Sequence, residues 1–369
     1  MKILFVSAAN STHTVRWVNA LAERGHEVYL ASNRDHEPKE DTLNSRVKLY
    51  LMKHSGGKGY YLNAGELRKI AKRINPDVIN VHYASGYGTL ARKARLPKYI
   101  LSVWGSDVYD FPYESKLKNY ILKKNVKSAK MLASTSECMA NQLRKVMGNK
   151  EMKIWVTPFG VDLNLFNPDN YSKIDNNDFV IGTVKALESK YGIHELILAF
   201  DMLKKQLDSN CNFKKNLKLF IYGDGSQKRF LDKIIEEKEL LNCVFLKGKI
   251  PNSEVPKAIS EFDIFVALSQ SESFGVAAVE AMAMKKPVVV SDADGFREVI
   301  KNEVTGYIVS RAKIEYAEKA MHILALNQEL CEKMGVNGRA HVEKNYSWEK
   351  NVDTMLELYN KMNEVVGNE

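Results

Sequence analysis

Short apolar runs rich in β-branched residues alternate with amphipathic stretches along nearly the whole chain. "KILFVSA" (2–8), "HEVYLAS" (26–32), "VKLYLM" (47–52), "DVINVHY" (77–83) and "KYILSVWG" (98–105) read as strands, and "AKMLAST" (129–135) and "KIWVTPFGVD" (153–162) continue the series. "HTVRWVNALAERG" (13–25) sets Val15, Val18, Leu21 and Ala22 on one side of a helix that Gly25 ends; "GELRKIAKRINP" (65–76) is a basic helix ended by Asn75-Pro76. The pattern pauses in the Asn- and Asp-rich stretch "NPDNYSKIDNND" (167–178), a linker candidate, and then restarts. "FVIGTV" (179–184), "LKLFIYGDG" (217–225), "CVFLKGKI" (243–250), "DIFVALS" (263–269) and "PVVVSD" (287–292) are strands; "GIHELILAFDMLKKQL" (192–207), "EVPKAISE" (254–261) and "FGVAAVEAMAM" (274–284) are helices. Strands alternating with helices predict parallel sheets covered on both faces, here in two successive α/β series. In such sheets ligands bind beyond the carboxyl ends of the strands, so the chemistry is expected in the loops that follow them.

A chain of 369 residues accommodates two domains. Its net charge of +9 is uneven: residues 1–170 carry 27 Lys and Arg against 15 Asp and Glu, and residues 171–369 carry 27 against 30. A basic half joined to a near-neutral half suggests different partners, with an anionic membrane face or a phosphate-bearing acceptor on the basic side. No aromatic-basic pattern of a nucleic-acid binder is present, so nucleic acid is not expected as a partner. No apolar run approaches the roughly 18 residues of a membrane span, and "MKILFVSAAN" reads as a first strand rather than a secretory leader. Cys138, Cys211, Cys243 and Cys331 are widely spaced and suggest neither a disulfide framework nor a zinc site. A cytoplasmic protein, peripheral on the inner membrane face, fits these features.

The stretch "SESFGVAAVEAMAMKKPVVVSD" (271–292) carries the clearest chemistry. Its helix opens at Ser273-Phe274-Gly275-Val276, where free backbone N–H groups and the positive end of the helix dipole suit a phosphate, and Gly275 permits close approach. Glu272 and Glu280 bracket that helix start. Up to ~12 Å of axial separation suits two acids holding different parts of one extended ligand, and exceeds the ~5–9.5 Å of paired hydrolase carboxylates. Ala277, Ala278, Ala281, Met282 and Ala283 make Glu280's surroundings apolar, against a solvent-facing position. "GTVKALESKYG" (182–192) puts Lys185 and Lys190 in a strand-to-helix loop, where two ammonium groups can neutralise a departing diphosphate. "YGDGS" (222–226), with Gly223, lacks the third glycine of a dinucleotide fingerprint, and no Walker A, HExxH or GxSxG sequence occurs. In the first half, polar loops follow three strands: "NSTHT" with Asn10, Ser11 and Thr12; "VHYASGYG" with His82; and "VWGSDVY" with Trp104 and Asp107.

Together these segments resemble family 4 of the retaining glycosyltransferases (glycosyl transferases group 1). The resemblance spans essentially the whole chain and is strongest over residues 179–309. Glu272 and Glu280 fit the family's E-x7-E motif, whose pattern continues through Gly295. "GTVKALESKYG" is similar to a loop that usually reads GR…KG, with Lys185 in place of arginine and Lys190 matching the lysine. "VTPFGVD" is similar to P-N-G-V-D, with Phe159 in place of asparagine, and "YSWEKNVDTMLELYNKM" (346–362) to a C-terminal crossover helix. Trp104 stands where members commonly have a histidine, and the "NSTHT" loop lacks the usual paired glycines, so the acceptor side departs most.

The resemblance implies a GT-B architecture of two facing Rossmann-like, doubly wound α/β domains. Residues 1–166, with helix 346–369 packing back on them, would bind acceptor, and residues 167–345 the nucleotide-sugar. The linker and crossover would serve as hinges. The implied catalytic set is Glu272, Lys185, Lys190 and Asp107, with Glu272 on donor-sugar hydroxyls. The implied donor set is Gly223, Lys249, Ile250, Ser273, Phe274, Gly275, Val276 and Glu280, with Glu280 on the ribose and Lys249-Ile250 at the base. Asn10, Ser11, Thr12, His82 and Trp104 fall on the acceptor side. The implied activity is transfer of a sugar from a nucleotide diphosphate, UDP before GDP, to a saccharide or lipid-linked hydroxyl, with no metal or other cofactor. A nucleotide-sugar epimerase of the same architecture and a non-catalytic sugar-nucleotide binder remain as alternatives.

Overall fold

The computed structural model describes residues 1–171 and 177–367, with side chains through Glu364. Of the linker candidate at 167–178, residues 172–176 lie outside the described residues; Pro168–Asn170 form a single 3-10 turn and Asp178 opens the next strand. The strands are β1 (Lys2–Val6), β2 (Glu27–Asn33), β3 (Lys48–Met52), β4 (Val78–His82), β5 (Ile100–Val103), β6 (Met131–Ser134), β7 (Trp155–Val156), β8 (Asp178–Val184), β9 (Asn216–Tyr222), β10 (Val244–Gly248), β11 (Ile264–Ala267), β12 (Val288–Ser291) and β13 (Gly306–Val309). The helices are α1 (Thr12–Glu23), α2 (Gly56–Leu62), α3 (Ala64–Ile74), α4 (Gly86–Ala94), α5 (Ser106–Tyr109), α6 (Phe111–Glu114), α7 (Lys116–Ser128), α8 (Glu137–Met147), α9 (Ile193–Asp208), α10 (Lys228–Glu237), α11 (Val255–Ser260), α12 (Val276–Ala283), α13 (Asp294–Val299), α14 (Ile314–Ala325), α15 (Gln328–Asn345) and α16 (Trp348–Gly367).

Contacts divide the chain into two compact units, Met1–Pro158 with Asn351–Glu369, and Phe159–Lys350. Each holds one parallel sheet, ordered β3-β2-β1-β4-β5-β6-β7 and β10-β9-β8-β11-β12-β13. The near-continuous apolar runs follow from this: β4 and β12 are buried along their whole length because helices cover both faces. Strand order reverses beside β1 and beside β8, which opens a crevice past the carboxyl ends of β1 and β4 in one sheet and of β8 and β11 in the other.

In the first unit, Leu4, Val6, Ile79 and Val81 pack against a row of helices through Leu67, Leu90, Leu122 and Leu143. The buried face of α1 is centred on Trp17, Val18 and Leu21, with Val15 only half-buried, one position round from the sequence expectation. α16 closes this unit. Arg24 bonds Asp353 at 2.5 Å, and Asn80 in β4 donates to the Tyr359 hydroxyl at 2.8 Å while accepting from Ser102 at 2.9 Å. A buried carboxamide in a central strand would cost about 1–3 kcal/mol if unpaired; here the helix supplies its partner. The second unit's core runs from Ile181, Leu219 and Ile264 to Phe200, Leu203, Met321 and Leu324.

Candidate functional site

In the second unit the loops after β8, β9 and β11 meet at one edge of the sheet. Two glycines make this possible. Gly223 sits at φ +154°, and a Cβ there would fall 1.9 Å from the Lys185 carbonyl oxygen. Gly275 sits at φ +94°, where a Cβ would fall 2.8 Å from the Phe296 ring. Gly223 donates its N–H to the Gly248 carbonyl at 2.8 Å, and Lys185 donates its own to Tyr222 at 2.9 Å, so the β9 loop seats the β8 loop. Gly223 thereby acts through its lack of a side chain, as a shaping residue.

α12 begins at Val276, two residues later than the sequence reading placed it, with Gly275 as its left-handed cap. No side chain caps it, and its first turn holds no acid. Its first bonded amides are those of Ala278 and Val279, both to the Gly275 carbonyl. Among the described residues, the N–H groups of Gly275, Val276 and Ala277 have no acceptor. Unpaired donors at the positive end of a helix dipole form an anion site. The Phe274 side chain is buried and packs edge-on against Phe159 (6.1 Å) and Tyr346 (5.6 Å), so only its backbone can face a ligand. Phe159, the residue that departs from the family's asparagine, thus clamps the segment leading into the tip. Gly295 donates to the Glu272 carbonyl at 3.0 Å and fixes the tip from its other side.

Charge is arranged around this tip. Lys185 pairs with Glu272 at 2.5 Å, both side chains largely buried. The ammonium groups of Lys185 and Lys190 lie 4.7 and 5.2 Å from the Tyr191 ring centre, on which both cations are held. The Lys190 carbonyl accepts from Gln270 at 2.8 Å, tying the lysine loop to the loop that enters the tip. Glu280, in the fifth position of α12, is buried at 8% exposure; a carboxylate in that setting is not a solvent-facing helix residue. Ser273 is half-buried, Lys249 is exposed and Ile250 half-buried beyond β10. Tyr191 escaped the sequence reading although it stands between Lys190 and Gly192; an aromatic beside a loop lysine was the available signal. Arg311 was also missed: it bonds the Gln270 carbonyl and pairs with Asp292 at 3.0 Å. Burial pushes the Asp292 carboxyl up, but hydrogen bonds from the Arg311 amide and Arg297 outweigh it and hold it below its usual range.

In the first unit, the residues expected on the acceptor side gather at and beyond the carboxyl ends of β1, β4 and β5. Asn10 and Thr12 are exposed, and Ser11 precedes α1 without capping it through its side chain. Trp104 is buried with its ring 4.1 Å from that of His82 and 5.9 Å from that of His13. His82 is wholly buried, and neither ring nitrogen finds a hydrogen-bond partner among the described residues. Burial, with His13 nearby, lowers its pKa to about 3, so the ring stays neutral. Asp107 is buried, and both its oxygens are engaged: one accepts from Gly105 (2.9 Å) and Trp104 (3.1 Å), the other from Ala84 (2.8 Å). Burial raises its pKa and the backbone bonds oppose the rise. Its carboxylate ties the β4 and β5 loops together. No group of three or more His, Cys, Asp or Glu side chains among the described residues is placed to hold a metal ion.

Two parallel-sheet α/β units, with an uncapped helix tip at the strand ends of the second, fit the GT-B type of glycosyltransferase. Comparison with known proteins agrees. The model of the glycosyl transferases group 1 matches residues 169–341, and that of the glycosyl transferase 4-like family residues 2–136. The chain belongs to the family 4-type, group 1 glycosyltransferases. An uncharacterized glycosyltransferase of Methanocaldococcus jannaschii is 27% identical over 319 residues, 85% of this chain and 84% of that protein. The alpha-monoglucosyldiacylglycerol synthase of Acholeplasma laidlawii is 24% identical, over 85% of this chain and 83% of that one. Among solved structures, sucrose-phosphate synthase from Thermosynechococcus elongatus is similar with a TM-score of 0.81 at 16% identity, over 98% of each chain. An Anabaena protein in complex with UDP and glucose gives 0.76 at 16% identity, over 98% of this chain and 100% of that one. The protein is therefore a GT-B glycosyltransferase related to enzymes of polysaccharide and glycolipid synthesis.

Proposed function

We propose that this enzyme moves a sugar from a nucleotide diphosphate to a hydroxyl of a saccharide or lipid-linked acceptor, with retention of anomeric configuration. The observation that carries this reading is the α12 tip, with three unpaired amides beside Lys185 and Lys190. A diphosphate satisfies those donors and balances the ammonium charges as negative charge grows on it. Glu280 takes the ribose hydroxyls, Glu272 the donor sugar, and the backbone at Lys249-Ile250 the base. Lys185, paired with Glu272 in the unliganded protein, exchanges that carboxylate for the diphosphate on donor binding and frees Glu272 for the donor sugar.

In the step itself, the acceptor oxygen bonds to the anomeric carbon as the bond from that carbon to the phosphate oxygen breaks on the same face. The bonding pair leaves with the diphosphate, which receives the acceptor's proton. The protein contributes alignment and charge stabilisation, and Lys185 and Lys190 supply the positive charge at the leaving group. Asp107 serves as a positioning residue that shapes the acceptor loops. A uridine donor is the first choice and a guanosine donor the second; the similar Anabaena structure holds UDP.

The test is a nucleotide-release screen over UDP- and GDP-sugars, with and without saccharide and lipid-linked acceptors. Acceptor-dependent release with an α-linked product from an α-linked donor is the expected result. Donor interconversion without acceptor would make the chain an epimerase, and tight donor binding without turnover a binding protein.

A further inference from the structure

We infer that the second unit carries a second small-molecule site, for an amphipathic organic anion, in a cavity at the amino ends of its strands. The helix tip with its open amides lies at the carboxyl ends, so the two sites stand at opposite ends of one sheet.

The cavity has a volume of about 660 Å³, within the roughly 300–1,000 Å³ of small-molecule sites. On its wall, Lys215, Asp263 and Pro287 each immediately precede a strand, β9, β11 and β12, and Phe179 is the second residue of β8. Four adjacent parallel strands thus begin there. Leu326 and Cys331, at the turn between α14 and α15, close the far side. Lys285 and Lys286 follow the last turn of α12, whose first turn is the open tip. Eight helical residues span ~12 Å, so both sites can be filled at once.

The floor is apolar. Phe213 is half-buried and stands edge-on to Phe179 at 6.0 Å, and Leu326 beside the cavity is 44% exposed. Beneath them Phe262 is wholly buried on Gly182, where a Cβ would fall 2.2 Å from its ring.

Charge stands around that floor. Four lysines, at 214, 215, 285 and 286, face two acids, Asp263 and Glu332. One oxygen of Asp263 accepts the Val180 amide at 2.7 Å. Lys286 donates to the Ser260 carbonyl at 2.9 Å, and Lys285 lies 3.8 Å from Asp169. Lys214 and Lys215 have no carboxylate partner among the described residues; the Lys215 ammonium lies 5.9 Å from the Phe179 ring centre. Burial, with Asp263 and Glu332 near it, pushes the Cys331 thiol up to about 12 against the pull of Lys215, so the thiol is a neutral part of the wall. Together these features select a ring system bearing one carboxylate, sulfonate or phosphate. The ring covers Phe213 and Leu326, and the acidic group meets Lys214 and Lys215 in charge-assisted hydrogen bonds. A small inorganic anion would leave the floor bare, and a neutral ring would leave the ammonium groups unpaired.

The experiment is a fluorescence titration of the full chain with 8-anilinonaphthalene-1-sulfonate, with and without saturating UDP. Its uncharged counterpart, N-phenyl-1-naphthylamine, is titrated alongside, and UDP affinity is measured by calorimetry. Saturable binding of the sulfonate that UDP does not displace is expected, with the uncharged probe bound at least about tenfold more weakly. The double change Lys214→Glu/Lys215→Glu, at exposed positions, should weaken sulfonate binding by at least about tenfold. Leu326→Ser should weaken both probes severalfold. UDP affinity should be unchanged in both variants, which shows that the fold is intact. Displacement by UDP would assign the probe to the helix tip and overturn the inference. So would unsaturable binding, equal affinity for the two probes, or wild-type sulfonate binding in both variants.

Discussion

At the carboxyl end of β11, the amides of Gly275, Val276 and Ala277 are left without acceptors. At the carboxyl end of β5, the amides of Trp104 and Gly105 are taken by Asp107, and the His82 ring beside them is sealed from solvent. Both units use the same α/β scheme, yet the loop after β11 leaves its donors open while the loop after β5 satisfies its own through Asp107. An edge with spare donors is prepared for an anion. An edge whose donors are spent offers shape and apolar surface, so what it binds is set by side chains such as Trp104. Substitutions at the first edge should change function before stability, and those at the second stability before donor binding.

The largest effect is expected from Lys190→Ala, which should lower kcat/KM for transfer by about 10²–10³ with the thermal midpoint nearly unchanged; steady-state kinetics and a melt check this. Gly275→Ala sharpens the contrast, since it strains the tip backbone and presses on Phe296. It should cost about 1–3 kcal/mol of stability and weaken donor binding as well, read by urea unfolding and calorimetric titration. Asp107→Asn should cost about 1–3 kcal/mol, because a carboxamide presents N–H groups where backbone donors need acceptors; UDP affinity should not move. If it fell as far as in Gly275→Ala, the division between the two edges would be broken.

The smallest effect at neutral pH belongs to His82→Leu. Neither imidazole nitrogen is bonded, so the change should stay within about 1.5 kcal/mol. Its signature is pH-dependent. The fold holds His82 near pH 3, below its ordinary 6.5, so the unfolded chain takes up the proton first. The stability His82 allows is complete above 6.5 and is lost as pH falls toward 3, with a slope of up to about 1.4 kcal/mol per pH unit. Urea midpoints across that range should show a shallower acid branch in the variant.

Much of this was legible in the chain. The β-branched runs gave the strands, because a parallel sheet covered on both faces leaves little polar signal to confuse them. Glu280's burial could be read from the alanines around it, and the tip from a glycine ahead of an apolar helix. What escaped depends on contacts between distant positions. The Lys185–Glu272 pair joins residues 87 apart, and no local spacing encodes it. The commitment of Asp107 needs the Ala84 amide from another loop. Phe274 reads as a ligand contact from its place at the helix tip, while its side chain belongs to the core.

The central claim is that the α12 tip holds the donor diphosphate. Amide NMR of protein labelled at glycine, valine and alanine, titrated with UDP, tests it most directly. The account predicts saturable shifts of the Gly275, Val276 and Ala277 resonances, with the Trp104 loop glycine, Gly105, unmoved. Saturable binding that leaves the three tip amides where they were would contradict it.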